Sequence, residues 1–313
     1  MSQKRIALLF SGQGAQSVGM GKELAGHFPE VAELFAQADS ILGYKLSQIM
    51  WEGPDTELTQ TRHCQPALFV HGTACLKALK LVAGEFPVHA VAGLSLGEFT
   101  AHVAAGSMDF ETGLRLVAQR GAFMQEACEE TLGGMAAMIG GDEAAVIQLA
   151  QETKVDVANF NCPGQLVLSG EISRINEAVS RAKEHGIRAA KPLNVAGAYH
   201  SRLMRPAAAR LGSVLATAQF QKPRCLVFAN VNAASVSEPD DIRRTLEEQV
   251  TGSVRWTQTL ENLLDQEHCD LFLELGPGGI LAGLLQRTRK GTPCLSVTDM
   301  ASVTAAAEAL HAS

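Results

Sequence analysis

Aromatic residues are scarce in this 313-residue chain, at 5%, so a largely aliphatic core is expected. Cysteine pairing is also missing. The seven cysteines are odd in number and scattered, with no C-x-x-C, which excludes a disulfide framework and a zinc site and points to reduced thiols in the cytoplasm. Positive charge is in deficit. Against 33 Asp and Glu there are 26 Lys and Arg, and a net charge of −7 is wrong for a nucleic-acid surface. No apolar run of membrane length, signal-peptide pattern, internal repeat or low-complexity linker is visible. What remains is a globular chain, 46% hydrophobic, of one large domain or two smaller ones.

The strongest positive feature is Gly93-Leu94-Ser95-Leu96-Gly97. It follows the apolar run His89–Ala92 and opens a helix-like stretch from Glu98 to Ala105. Strand, sharp turn and helix with a serine at the turn is the pattern of a nucleophile elbow. The hydroxyl would project at a helix N-terminus, where unpaired N–H groups and the helix dipole favour negative charge. A glycine-rich turn whose serine only caps a helix is the plainer alternative.

Arg5–Phe10 reads as a buried strand and residues 20–40 as helix broken near Pro29. A helix runs from Pro66, suited to a first helical position, to about Val82, and another from Phe110 to Glu129. The pattern then changes. Strand 134–139, helix 142–152, strands 155–159 and 165–169 joined by a Pro-Gly turn, helix 172–185 and strand 188–195 spell βαββαβ, the ferredoxin-like order. Afterwards strands 226–229, 270–275 and 294–297 alternate with helices 239–250, one ending near Arg289, and 302–312. Alternation implies a mostly parallel sheet covered on both faces. The expected fold class is therefore α/β: a large domain of residues 1–129 and 197–313 interrupted by a ferredoxin-like subdomain of residues 130–196.

A serine nucleophile needs a base, and among nine histidines His200 stands where an apolar strand returns to the large domain. His102 reads as a packing or capping residue, and His27 and His185, at polar helix ends, as solvated. Oxyanion stabilisation needs two N–H donors. The residue after the serine, Leu96, supplies one, and the Gly12–Gln16 loop is the natural source of the other. That loop lacks the lysine of a P-loop and the third glycine of a dinucleotide fingerprint. Arg120 lies among apolar neighbours, and a guanidinium so placed requires an anionic partner from protein or ligand.

These pieces together resemble the malonyl-CoA:acyl carrier protein transacylase family. GQGAQ (12–16), TQTRHCQPAL (59–68), GLSLGEF (93–99), QRGAFMQEA (119–127), NFNCPGQLVLSG (159–170), AYHSRLM (198–204) and ELGPGG (274–279) stand in the family's order and span essentially the whole chain. The resemblance implies an α/β hydrolase-like domain carrying the ferredoxin-like insert. It implies Ser95 as acyl-accepting nucleophile, His200 as base and acid, and Gln13 and Leu96 as backbone oxyanion donors. Arg120 would pair with the malonyl carboxylate, with Gln65 and Asn161 near the substrate. In this family a backbone carbonyl orients the histidine, and Gln249 is the candidate. Two positions depart from the usual pattern: Leu94, where many relatives have histidine, and Tyr199, where phenylalanine or serine is usual and which flanks the acyl group.

The implied reaction is ping-pong transfer of malonyl from malonyl-CoA to the phosphopantetheine thiol of acyl carrier protein, with no metal or cofactor. The implied protein is a cytoplasmic monomer serving fatty-acid synthesis, or alternatively polyketide synthesis. Carrier proteins are acidic. Arg287, Arg289 and Lys290, with Arg202 and Arg205, are candidates for docking one, against a plainer role as solvated helix ends. A thioester hydrolase on the same fold would order its triad Ser, acid, His toward the C-terminus and have little use for Arg120. A non-catalytic carrier-binding scaffold would not need Ser95, His200 and Arg120 together.

Overall fold

The computed structural model describes residues 4–312. In chain order its strands are β1 Ile6–Phe10, β2 Ala90–Gly93, β3 Gly133–Ile139, β4 Asp156–Cys162, β5 Gln165–Glu171, β6 Ala189–Pro192, β7 Leu226–Phe228, β8 Ser235–Val236, β9 Leu271–Leu275 and β10 Cys294–Val297. Six build one sheet in the order β10-β9-β1-β2-β7-β8, and four build another in the order β4-β5-β3-β6. In the larger sheet β10, β9, β1, β2 and β7 run parallel, and β8 pairs antiparallel at the edge. Parallel neighbours need crossover connections, and the helices that supply them cover both faces. β1 carries the consequence. Ile6, Leu8 and Phe10 pack in one cluster with Val91 and Leu273, while Ala7 and Leu9 pack in another with Phe272 and Trp256. A strand covered on both faces reads as an unbroken apolar run, which is why it was legible.

In the smaller sheet all pairings are antiparallel, with the order expected of a βαββαβ unit. Helices Glu143–Thr153 and Ile172–Arg181 share a separate cluster with Ala136, Met138, Leu166 and Leu168. The fold is thus an α/β domain with an inserted ferredoxin-like unit. β4 joins the two sheets' surroundings. The Phe160 N–H donates to the Val254 carbonyl at 2.9 Å, and the Val254 N–H donates to Ala158 at 2.8 Å.

Several boundaries differ from the sequence reading. The helix expected from Pro66 spans Thr61–Ala83, with Pro66 inside it. The proline removes one rung of the ladder, but Cys64, Gln65, Ala67 and Leu68 are buried around it, and packing carries the helix through. This helix is also long and apolar enough to cross a membrane, though 67% of its most apolar window is buried inside the protein, as in a core helix. The last helix starts at Met300, because Asp299 caps it and Ser302 closes a capping box from within. Helices Leu46–Glu52, Arg205–Leu215 and Trp256–Asp265 were not anticipated.

Candidate active site

The elbow exists because β2 and the helix Gly97–Ala104 meet almost without a loop. Ser95 sits at φ 56°, a left-handed conformation that costs a non-glycine residue roughly 1–2 kcal/mol. Two bonds hold it there. The Ser95 N–H donates to Asn230 Oδ1 at 2.7 Å, and its carbonyl accepts from Gln249 Nε2 at 2.9 Å. His200 is held in the same region, at φ 54°. Its Nδ1 lies 2.8 Å from the Gln249 carbonyl oxygen and 3.2 Å from that of Gly252. Carbonyls only accept, so Nδ1 carries the proton and Nε2 presents a lone pair. Ser95 Oγ stands 2.8 Å from that Nε2, the reach a general base requires.

Arg120, fully buried on the helix Phe110–Glu130, completes the centre. Its Nη1 donates to Gln65 Oε1 at 2.7 Å, and its Nη2 donates to Gln249 Oε1 at 2.9 Å and to Ser95 Oγ at 3.0 Å. Among the described residues no carboxylate lies within ion-pair distance of it. Burial pulls its pKa down to about 10, with Glu98 and Tyr199 acting the other way. A buried cation that meets only neutral oxygens beside an activated hydroxyl suits an anionic acyl chain.

The first loop meets the elbow because Gly12 has no side chain. A Cβ there would lie 2.5 Å from the Leu94 carbonyl oxygen. Gln13 is thereby brought to the cleft beside Ser95 and Leu96, and among the described residues neither the Gln13 nor the Leu96 N–H has a hydrogen-bond partner. The cleft, of about 250 Å³, lies between the sheets. The insert contributes Asn159, Asn161 and Val167 to it. Asn161 Oδ1 is buried and unpaired. Tyr199 is buried at the cleft wall and shares a hydrogen bond with the Thr61 hydroxyl. Leu94 also lines the cleft.

The docking candidates stand apart from the centre. Arg287 is exposed and bonds Gln165 at the cleft rim, and Lys290 is exposed. Arg289 is tied to Asp265 by two bonds, at 2.7 and 2.9 Å, so much of its charge is already answered. Arg202 lies 3.5 Å from Asp156, and Arg205 is exposed. His102 is fully buried against Ser107, while His185 is not simply solvated but lies 3.3 Å from Glu152. Sequence reading missed Asn230 and Glu98. Glu98 did leave a signal, an acid in the first turn of a helix whose described residues through His102 are all buried.

Burial, and next the nearby Arg120 charge, push the His200 pKa down to about 4, while its two carbonyl partners pull the other way. The base is active when neutral, so acylation is expected to persist as pH falls through 6.5 and to fail only near pH 4. Rapid-quench mass measurement of Ser95 acylation against pH checks this, and an acid limb near 6.5 would contradict it.

An elbow serine, a histidine on backbone carbonyls and a buried arginine, set in this two-sheet α/β fold, define an acyltransferase. The chain belongs to the acyl transferase domain family, whose model matches residues 7–309. It is 39% identical over 311 residues to the malonyl CoA-acyl carrier protein transacylase of Bacillus subtilis (strain 168), covering 98% of this chain and 97% of the relative. Its fold matches the malonyl CoA-acyl carrier protein transacylase (fabD) from Coxiella burnetii with a TM-score of 0.95, 34% identity and 99% of each chain. It also matches a malonyl-transacylase solved in complex with its type II PKS acyl-carrier protein, with a TM-score of 0.93, 37% identity, 97% of this chain and 99% of the other.

Proposed function

We propose that the protein moves malonyl from malonyl-CoA to the phosphopantetheine thiol of acyl carrier protein through a malonyl ester on Ser95, supplying fatty-acid synthesis. His200 Nε2 takes the Ser95 proton as Oγ attacks the thioester carbonyl. The oxyanion forms between the N–H groups of Gln13 and Leu96, where one donor is typically worth about 2.7–4 kcal/mol. The C–S bond breaks, and His200 returns the proton to the departing CoA sulfur. The carrier's thiol then gives its proton to His200, attacks the ester and takes the acyl group, and the proton returns to Ser95. No metal or redox cofactor enters this balance. The seven unpaired cysteines fit a cytoplasmic location. Arg287 and Lys290 at the rim are offered as carrier contacts.

The observation that carries this reading is the buried Arg120 Nη2 at 3.0 Å from Ser95 Oγ. Intact mass after brief exposure to malonyl-CoA should show a malonyl adduct that is absent in Ser95→Ala and absent with acetyl-CoA. The adduct should move to added holo carrier protein. Steady release of CoA without an adduct would favour a hydrolase. The second reading, a polyketide role, draws on the match to a transacylase bound to a type II PKS carrier. Preference for a polyketide over a fatty-acid carrier in the second half-reaction would decide for it.

A further inference from the structure

Directly beneath the elbow, Glu98 is sealed from solvent. Its Oε2 accepts from the Asn230 N–H at 3.0 Å and from Gln249 Nε2 at 2.6 Å. Both partners reach the reacting groups. Asn230 Oδ1 accepts from the Ser95 N–H, and its Nδ2 donates to the Gly93 carbonyl at 2.7 Å. Gln249 offers three contacts: its carbonyl to His200, its Nε2 to the Ser95 carbonyl and its Oε1 to Arg120. An amide has one donor end and one acceptor end. Glu98 takes the donor end, so the acceptor end must turn to the guanidinium. Were the Gln249 amide reversed, its NH2 would face Arg120, two donors nose to nose.

We propose that Glu98 is a positioning residue: as a fixed acceptor beneath the elbow it sets the direction of the Gln249 amide, and through Gln249 and Asn230 it aligns Ser95, His200 and Arg120. The acceptor matters here, and the charge does not. Glu98 Oε1 is buried without a partner, and one oxygen, Oε2, makes both bonds. Burial, opposed by the Asn230 and Gln249 hydrogen bonds and by Arg120, raises the Glu98 pKa to about 7.

The link to Arg120 rests on the reading that Arg120 holds the malonyl carboxylate, while the link to Ser95 and His200 does not. Two variants and three readouts, serine labelling, malonyl loading and acetyl loading, separate them. Glu98→Gln keeps reach and acceptor and loses the charge. Glu98→Asp keeps the charge but withdraws the acceptor by one methylene. Labelling of Ser95 by a neutral serine-directed sulfonyl fluoride reads the reactivity of Ser95 with no carboxylate for Arg120 to hold, and malonyl-CoA loading adds that carboxylate. Glu98→Gln is expected within about fivefold of the parent in both readouts. Glu98→Asp should fall about 30- to 100-fold, the scale of a misplacement near 1 Å. Thermal melts run alongside confirm that both variants fold. Aspartate equal to or better than glutamine in labelling would overturn the proposal, because charge or bulk would then be the requirement. If labelling follows the expected order while malonyl and acetyl loading fall alike, the positioning role stands and the Arg120 reading fails.

Discussion

Replacing Arg120 by glutamine is expected to slow malonyl loading about a thousandfold while leaving acetyl loading, which is far slower and needs long exposure to detect, unchanged or faster. The estimate follows from breaking a buried charge pair, about 3–5 kcal/mol, at 1.36 kcal/mol per tenfold. In the parent the guanidinium is buried over the Phe99 ring, and its hydrogen bonds go to Gln65, Gln249 and the Ser95 hydroxyl. A malonyl carboxylate would supply the missing counter-charge, and an acetyl chain would leave the cation unanswered. Glutamine removes the reward for the carboxylate without placing an unpaired charge in the cleft. Single-turnover acylation with each donor, read by mass, measures the ratio. An equal fall for both donors would mean that Arg120 serves the serine hydroxyl and not the acyl chain. Lysine should not rescue, since a point charge cannot reproduce a fork with several fixed donors.

Gly93→Ala is expected to cost more than about 4 kcal/mol of stability, seen as a melting temperature lowered by about 10 °C or as insoluble protein. A Cβ at Gly93 would lie 1.9 Å from the Gly97 carbonyl carbon and 2.4 Å from the Glu98 nitrogen. One at Gly97 would lie 2.2 Å from the Phe10 carbonyl oxygen. Every clashing atom is backbone, so no rotamer change relieves the overlap. Both glycines exist so that strand and helix can cross in contact, with the serine lifted at the crossing. Gly283→Ala is the control. It meets nothing within 4 Å in a helix, so it should be neutral or slightly stabilising. A soluble Gly93→Ala with an unchanged melting temperature would contradict this account of the elbow.

How legible the molecule was depended on the range of the interactions involved. Buried strands such as β1 and β9 announced themselves as apolar runs because both faces are covered. The elbow was legible because strand, turn and helix are consecutive. The capped helix Phe110–Glu130 was placed well, whereas the last helix, capped by Asp299, was placed two residues late. Asp109 caps Phe110–Glu130 by accepting from the Thr112 N–H. Leu46–Glu52 and Trp256–Asp265 begin at Lys45 and Arg255, which form no side-chain cap, and no start signal marks them. In the site, Ser95, His200 and Arg120 each sit in a local pattern. Glu98 does its work across 132 and 151 positions of chain, to Asn230 and Gln249, and no local pattern records such a pairing.

The two backbone bonds between β4 and Val254 have a consequence for turnover. Val254 stands two residues past Gly252, whose carbonyl helps hold His200, and β4 carries Asn159 and Asn161 into the same cleft. If the insert swung outward to admit a bulky donor, it would drag on the segment that keeps the imidazole in place. The insert is thereby tied to the support of the base. Weakening these two bonds to widen the cleft should slow the chemistry it was meant to speed.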